Sequence, residues 1–187
     1  MPARRLQRPA PADRARLPRY DLPDDASYAL RPIGVIRSPY RMREDAPRQA
    51  TVGDPVEATI VLRPGLQNSV QDLEGFARIW VLAWFHHSHG WKQQIVPPRD
   101  QQKRGLFATR APDRPNPLGL SALELVAVYG TRLTVRGCDL LDGTPVLDLK
   151  PYIPEYDAFP GSAAGWVDAL TAPGPDHRIR VDPPGAR

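Results

Sequence analysis

Proline occupies 23 of the 187 positions, more than twice its usual share of about 5%. An interior proline costs a helix about 3 kcal/mol, so this chain is not built as a bundle of long helices. With 14 glycines beside the prolines, the composition suits short strands joined by stiff loops. The length predicts one domain, large enough to bury most of the surface of a hydrophobic core. No run of 18 apolar residues offers a membrane-spanning helix. The N-terminus carries arginines without an apolar stretch, so a secretory signal is not expected and the cytoplasm is the expected location. The single cysteine, Cys138, excludes a disulfide framework and a cysteine-based zinc site.

Of the 25 basic residues, 22 are arginine; the formal net charge is +4 and the isoelectric point about 9.5. Such a balance permits attraction to nucleic-acid phosphates without establishing it. Residues 1–27 hold six arginines and five prolines with no apolar periodicity. They read as an irregular basic extension, either an arm for RNA phosphates or a solvated tail.

The folded part is expected over residues 28–160. Ile33-Gly-Val-Ile-Arg37 reads as a short strand closed by Ser38-Pro39, and residues 56–62 alternate as a half-buried strand. Leu66, Val70 and Leu73 have helical spacing and predict a short helix ended by Gly75. Residues 77–86 are nearly all apolar and aromatic and predict a buried central strand. Residues 87–104 read as a loop, and 106–109 as a strand. Residues 118–128, 133–136 and 146–149 read as further strands, with an Asp142-Gly143 turn before the last. Residues 161–187 are weakly patterned. Several short strands with regular turn signals predict a mainly β fold, a small antiparallel β-barrel with one or two short helices.

The common nucleotide motifs are missing. No two glycines lie two apart and no Gly-Lys pair occurs, which removes the dinucleotide and phosphate-loop fingerprints. GxSxG and HExxH are absent as well. His86, His87 and His89 invite a metal, yet no neighbouring carboxylate or cysteine completes a shell, so no metal is expected. Three prolines in Arg110-Ala-Pro-Asp-Arg-Pro-Asn-Pro117 stiffen that loop. It reads equally as a ligand wall or as a connection that blocks edge pairing. Asp142-Gly143-Thr144-Pro145 gathers a carboxylate, a hydroxyl and backbone donors at a strand junction, either as a cradle or as a plain turn.

Taken together, these segments resemble one family. Pro32-Ile-Gly-Val-Ile-Arg-Ser-Pro39 is followed by Pro47-Arg-Gln49, Leu73-Glu-Gly-Phe, Ile79-Trp-Val-Leu, Phe85-His86, Gly90-Trp91 and Pro97-Pro-Arg99. Phe107-Ala-Thr-Arg110, Arg114-Pro-Asn-Pro-Leu-Gly-Leu-Ser121 and Asp139-Leu-Leu-Asp-Gly-Thr-Pro-Val-Leu-Asp-Leu-Lys-Pro-Tyr152 complete the series. In this order, over about residues 30–160, the chain resembles the TsaA-like (TrmO) family of S-adenosylmethionine-dependent tRNA (N6-threonylcarbamoyladenosine) N6-methyltransferases.

The resemblance implies a homodimeric β-barrel enzyme that binds S-adenosylmethionine without a Rossmann fold and methylates N6 of the modified adenosine beside the tRNA anticodon. It implies cofactor contacts at Pro47, Arg48, Gln49, His86, His87, Arg110, Leu120, Asp142, Gly143, Thr144 and Pro145. His86, His87 and Asp142 are the candidates for a general base. Trp91, Arg114, Asn116, Lys150 and Tyr152 are the residues expected to meet the methyl acceptor, with Trp91 or Tyr152 stacking on the base. Loop arginines, among them Arg41, Arg43, Arg99 and Arg104, are expected to meet phosphates. Asp113 stands where the family usually has an aromatic residue or histidine, and Asp100-Gln-Gln-Lys103 replaces a Gly-Gly loop. Longer members carry a C-terminal domain implicated in tRNA binding, whereas this chain ends soon after the barrel segment. The alternatives are the same barrel acting on a different acceptor, small molecule or other RNA, and a non-catalytic RNA-binding barrel.

Overall fold

The computed structural model describes residues 26–50, 55–98 and 100–170. Alternating aliphatic residues drive the chain into short strands that close on themselves. β1 spans Gly34–Arg37, β2 Glu57–Leu62, β3 Arg78–Trp84, β6 Leu118–Tyr129, β7 Arg132–Arg136 and β8 Pro145–Pro151. These six form a closed barrel in the order β1-β2-β7-β6-β3-β8. Every pairing is antiparallel, and the barrel shuts where Gly34 meets Val146 and Val35 meets Pro145. Closure leaves no free edge within the barrel.

The interior is filled by one side chain in two from each strand, as a small barrel requires. Ile36, Ile60, Ile79, Val81, Leu123, Leu133, Val135 and Val146 are each fully buried. Each contributes about 1.5–3 kcal/mol by leaving water.

β3 is the expected buried strand on its inner face only. Ile79, Val81 and Ala83 point inward and are buried, but Trp80, Leu82 and Trp84 face outward and are half-buried. A barrel wall has one interior, so the outward indole of Trp80 needs cover from elsewhere. The short helix α1, Pro154–Asp157, supplies part of it: Trp80 Nε1 donates to Asp157 Oδ2 at 3.0 Å, and the Tyr152 ring lies 5.4 Å away.

Three local expectations also change. The spacing of Leu66, Val70 and Leu73 yields two 3-10 turns, Gln67–Val70 and Leu73–Gly75, separated by Asp72 in the left-handed region at φ 64°. Residues 106–108 are a 3-10 turn and not a strand, because Thr109 Oγ1 bonds back to the Leu106 carbonyl at 2.8 Å and tightens the backbone. The stretch read as a loop contains β4, Gln94–Ile95, paired with β5, Arg104–Gly105. A last 3-10 turn, Gly165–Ala169, sits against the same region: Trp166 Nε1 donates to the Ala108 carbonyl at 2.8 Å and its ring lies 5.2 Å from the Arg104 guanidinium. Residues 1–25, Arg99 and residues 171–187 lie outside the described residues, and with them most of the basic extension and of the weakly patterned C-terminal segment. Among the described residues no helix is long and apolar enough to cross a membrane.

Candidate cofactor site at one end of the barrel

The ladder register decides which loops meet. Trp84 at the end of β3 pairs with Leu118 at the start of β6, and Ala83 pairs with Val146 near the start of β8. Val35, two residues before the end of β1, pairs with Pro145. The segments 38–50, 85–93, 110–117 and 137–144 therefore all leave the barrel at one end. They carry most of the cofactor residues expected from the sequence.

The turn at 142–145 is an extension of the β1–β8 ladder. Gly143 N–H donates to the Ile36 carbonyl and Ile36 N–H to the Thr144 carbonyl, both at 2.9 Å. Gly143 holds φ 79°, which only glycine adopts without strain. Thr144 is buried. Asp142 Oδ1 accepts from the Ser38 amide at 3.3 Å, and its Oδ2 faces Arg37 at 3.7 Å and Arg41 at 3.9 Å. The turn is thus a fixed carboxylate beside two exposed cations.

The next wall is the segment 47–50. Gln49 Oε1 accepts from Arg110 Nη1 at 2.6 Å, and Gln49 Nε2 donates to the Arg48 carbonyl at 2.5 Å. Behind it, Gly137 at φ 76° lets the chain pass beneath Ala50, where a Cβ would stand 2.8 Å from the Ala50 carbonyl oxygen. The partly buried Asp139 accepts from Ser121 Oγ at 2.7 Å and from the Ala50 amide. Burial pushes the Asp139 carboxyl above its ordinary value, and the Ser121 and Ala50 donors and the Arg110 charge only partly oppose this. The adjacent Cys138 thiol is pushed up to about 12 by burial, so it stays an unreactive thiol.

The strand-end histidines are held by a steric lock. Phe85 N–H donates to the Pro117 carbonyl at 2.8 Å, and its ring occupies the space a Cβ at Gly119 would need, 2.6 Å away. His86 and His87 follow with ring centroids 4.1 Å apart, and His86 Nε2 reaches to 4.0 Å from a Cβ position on Gly143. Burial, and then the neighbouring His87, lower the His86 pKa, so His86 is neutral at physiological pH. Among the described residues, no three His, Cys, Asp or Glu side chains are grouped as they would be to hold a metal ion.

Asp113 and Arg43 join this rim. The Asp113 carboxylate takes Arg43 Nη2 at 2.8 Å and Nη1 at 3.2 Å, and also accepts from Ser88 Oγ at 3.0 Å and the His89 amide at 3.3 Å. Arg43 Nη2 donates as well to the His87 carbonyl. The Arg43 hydrogen bonds outweigh partial burial and hold the Asp113 carboxyl below its usual range. Arg43, expected from sequence to meet phosphates, has its charge committed to this pair.

The remaining expected residues are scattered. Leu120 is 61% exposed on the outer wall, opposite Leu82. Trp91 is half-exposed in the loop after the histidines, and Asn116 is exposed in the proline-rich loop. Arg114 is bound inward: its Nη1 donates to the carbonyls of Thr109 at 3.0 Å, Ala111 at 3.4 Å and Leu106 at 3.5 Å. Lys150 pairs with Asp148 at 2.9 Å and stands across from Trp80, against which Tyr152 packs. Five residues of strand, about 16 Å, separate Lys150 from Pro145, so one chain does not bring Lys150 and Tyr152 to the histidines. In the sequence, Asp139 stands out only as the start of a motif and Asp113 only as a departure from the family pattern. The signal for Asp139 was its place in that motif, a carboxylate next to apolar residues at a turn. Nothing in sequence spacing pairs Asp113 with Arg43, seventy positions away.

The matches with known proteins run along these same segments. Residues 35–158 fit the model of the tRNA-methyltransferase O N-terminal domain. A probable S-adenosyl-L-methionine-binding protein of Methanothermobacter thermautotrophicus is 44% identical over 134 residues, 72% of this chain and 96% of the relative. The tRNA (adenine(37)-N6)-methyltransferase of Escherichia coli is 36% identical over 157 residues, 79% of this chain and 67% of that enzyme. The crystal structure of TrmO from Pseudomonas aeruginosa superposes with a TM-score of 0.63 at 35% identity; the match covers 75% of this chain and 62% of that one. Barrel, rim segments and motif order agree with one another, and the chain belongs to the tRNA-methyltransferase O N-terminal domain family.

Proposed function

We propose that this chain is an S-adenosylmethionine-dependent methyltransferase whose acceptor is N6 of the threonylcarbamoyl-modified adenosine beside the tRNA anticodon. The observation that carries the reading is the convergence of Gln49 with Arg110, of His86, and of the 142–145 turn at one barrel end. Support also comes from the names of relatives, an S-adenosyl-L-methionine-binding protein and a tRNA (adenine(37)-N6)-methyltransferase.

The donor set fits the cofactor. Its carboxylate calls for a planar cation such as Arg110 or Arg48, and its ammonium or adenine edge for a carboxylate and backbone acceptors such as those of Asp142 and its turn. When bound, S-adenosylmethionine supplies an electrophilic methyl on a sulfonium. The residues of this chain then act chiefly by alignment, because in-line methyl transfer gains most from holding the two reactants in register. Proline-stiffened walls hold that register at low entropic cost. The acceptor nitrogen must lose its proton, and His86, whose pKa is lowered by burial and by His87, is the imidazole at this rim that would take it. The acceptor base leaves its stack to reach the pocket, with the half-exposed Trp91 as its stacking surface.

In this reading the protein works as a cytoplasmic homodimer. The outward face of β3 and β6, with Leu82, Trp84 and the exposed Leu120, is the apolar surface that a second copy would cover. Light scattering that finds a 20.8 kDa particle at micromolar concentration would remove the dimer.

Mass spectrometry of tRNA nucleosides from a deletion strain tests the acceptor. Loss of the methylated threonylcarbamoyl nucleoside, restored by the wild-type gene, supports it. An unchanged profile, from a protein that still binds S-adenosylmethionine in calorimetry, moves the acceptor to another molecule.

A further inference from the structure

Three segments that carry the cofactor residues, 41–50, 85–93 and 110–117, lie between barrel strands, not in the closed ladder. Prolines stiffen the third internally. That stiffness does not set its position relative to the other two.

One link between them is the Arg110–Gln49 hydrogen bond at 2.6 Å. In the proposed function Arg110 turns to the cofactor's carboxylate, so this link is given up or shared on binding. The second link is independent of any ligand-facing group. Asp113, from the proline-rich loop, holds both Nη atoms of Arg43, from the 41–50 segment. The same carboxylate accepts from Ser88 Oγ and the His89 amide, and Arg43 also reaches the His87 carbonyl. One ion pair therefore ties all three loops. Both partners are about 40% exposed, Arg43 at 40% and Asp113 at 39%, so its weight rests on two-point geometry and on its extra donors, not on deep burial.

We propose that Arg43 and Asp113 form a clasp that positions the rim of the cofactor site, a pair of positioning residues that act through His86, His87, Arg110 and Gln49. The clasp rests on the functional reading above. It predicts a defined split. Removing it leaves the barrel and the chemical step intact while the cofactor binds a rim that must first be assembled.

The test uses the full chain with Asp113→Asn, Arg43→Met, the double variant and Arg43→Lys. Calorimetry with S-adenosylmethionine should find each of the first two about five- to tenfold weaker, the scale of one net hydrogen bond between half-exposed charges. The double variant should be no weaker than the worse single, because the two side chains act as one unit. Arg43→Lys, which keeps the charge but loses the fork, should fall between wild type and Arg43→Met. With tRNA as acceptor, KM for the cofactor should rise by the same factor while kcat stays within about twofold of wild type. Hydrogen exchange of the ligand-free protein should show the His89 amide losing protection in a further variant, Asp113→Ala, which removes the oxygen that accepts from it, with the β3–β6 ladder amides unchanged.

Unchanged affinity in both single variants overturns the clasp, and so do additive losses in the double variant or a loss confined to kcat. If the wild type binds no S-adenosylmethionine, the functional reading falls. The clasp is then judged on exchange alone: unaltered protection at His89 overturns it, and selective loss across the three loops upholds it as a rim-positioning device.

Discussion

The barrel body and the rim at its end are built from different forces. In the body, aliphatic side chains such as Ile36, Ile79 and Leu133 are fully buried, and every strand is paired on both sides. In the rim, position is set by side-chain hydrogen bonds and by glycines with positive φ, among them Arg110–Gln49, Arg43–Asp113, Gly137 and Gly143. Apolar burial is non-directional and tolerates small shifts, whereas a hydrogen bond weakens steeply once its angle is lost. The body is therefore where stability resides, and the rim is where geometry is bought with little stability to spare.

The largest effect expected from breaking this division is in the body. Leu133→Ala removes a fully buried side chain from β7 and should cost about 2–5 kcal/mol in urea unfolding. At temperatures where the variant stays folded, its affinity for S-adenosylmethionine should match wild type. A variant that loses both together would show that body and rim are one cooperative unit.

The rim gives the converse. Arg110→Ala should weaken S-adenosylmethionine binding by about 1.5–3 kcal/mol in calorimetry, the scale of a charge-assisted hydrogen bond, with the melting midpoint nearly unchanged. Unaltered affinity would take Arg110 out of the site.

Gly137→Ala tests the seam between the two. Gly137 sits at φ 76°, and a Cβ there would stand 2.8 Å from the Ala50 carbonyl oxygen. Left-handed backbone at a non-glycine residue costs on the order of 1–3 kcal/mol, and Ala50 must move to make room. Stability and cofactor affinity should fall together. A loss of stability alone would separate the 47–50 segment from the cofactor.

This division also explains what was legible in sequence. Strands β1, β2, β6, β7 and β8 announce themselves because side-chain alternation is the same signal that buries them. β3 reads as a buried strand, but apolar content does not say whether a wall has one interior or two. Trp80 and Trp84 are apolar for the outer face. Asp72 in the left-handed region split the helix that Leu66, Val70 and Leu73 suggest, and no periodicity encodes that. Of the site, Gln49, Arg110 and residues 142–145 were readable as motifs, each local in sequence. Asp113 with Arg43, and Asp139 with Ser121, are pairings between distant segments. Only the closed register brings them together.

Asp139 provides the smallest and most discriminating test, since it joins β6 through Ser121 to the rim through the Ala50 amide. Burial raises its carboxyl pKa above the ordinary value, so the folded protein holds this proton more tightly than the unfolded chain. Between the unfolded value, about 3.9, and the raised folded one, the unfolded state binds fewer protons. The group's contribution to stability therefore declines as pH rises through that window and stays at its lower level above it. Asp100 and Asp113, whose carboxyls are lowered chiefly by hydrogen bonds from Arg104 and Arg43, push the opposite way. The quantity to follow is thus the difference between wild type and Asp139→Asn in thermal melts from pH 4 to 7. Asparagine keeps the oxygen that accepts from Ser121 and removes the proton. The variant's melting midpoint should gain on wild type as pH rises across the window and then run parallel to it. A constant offset over the whole range would mean that Asp139 ionises as freely in the fold as outside it, and that burial at the seam between body and rim does not disfavour its charge.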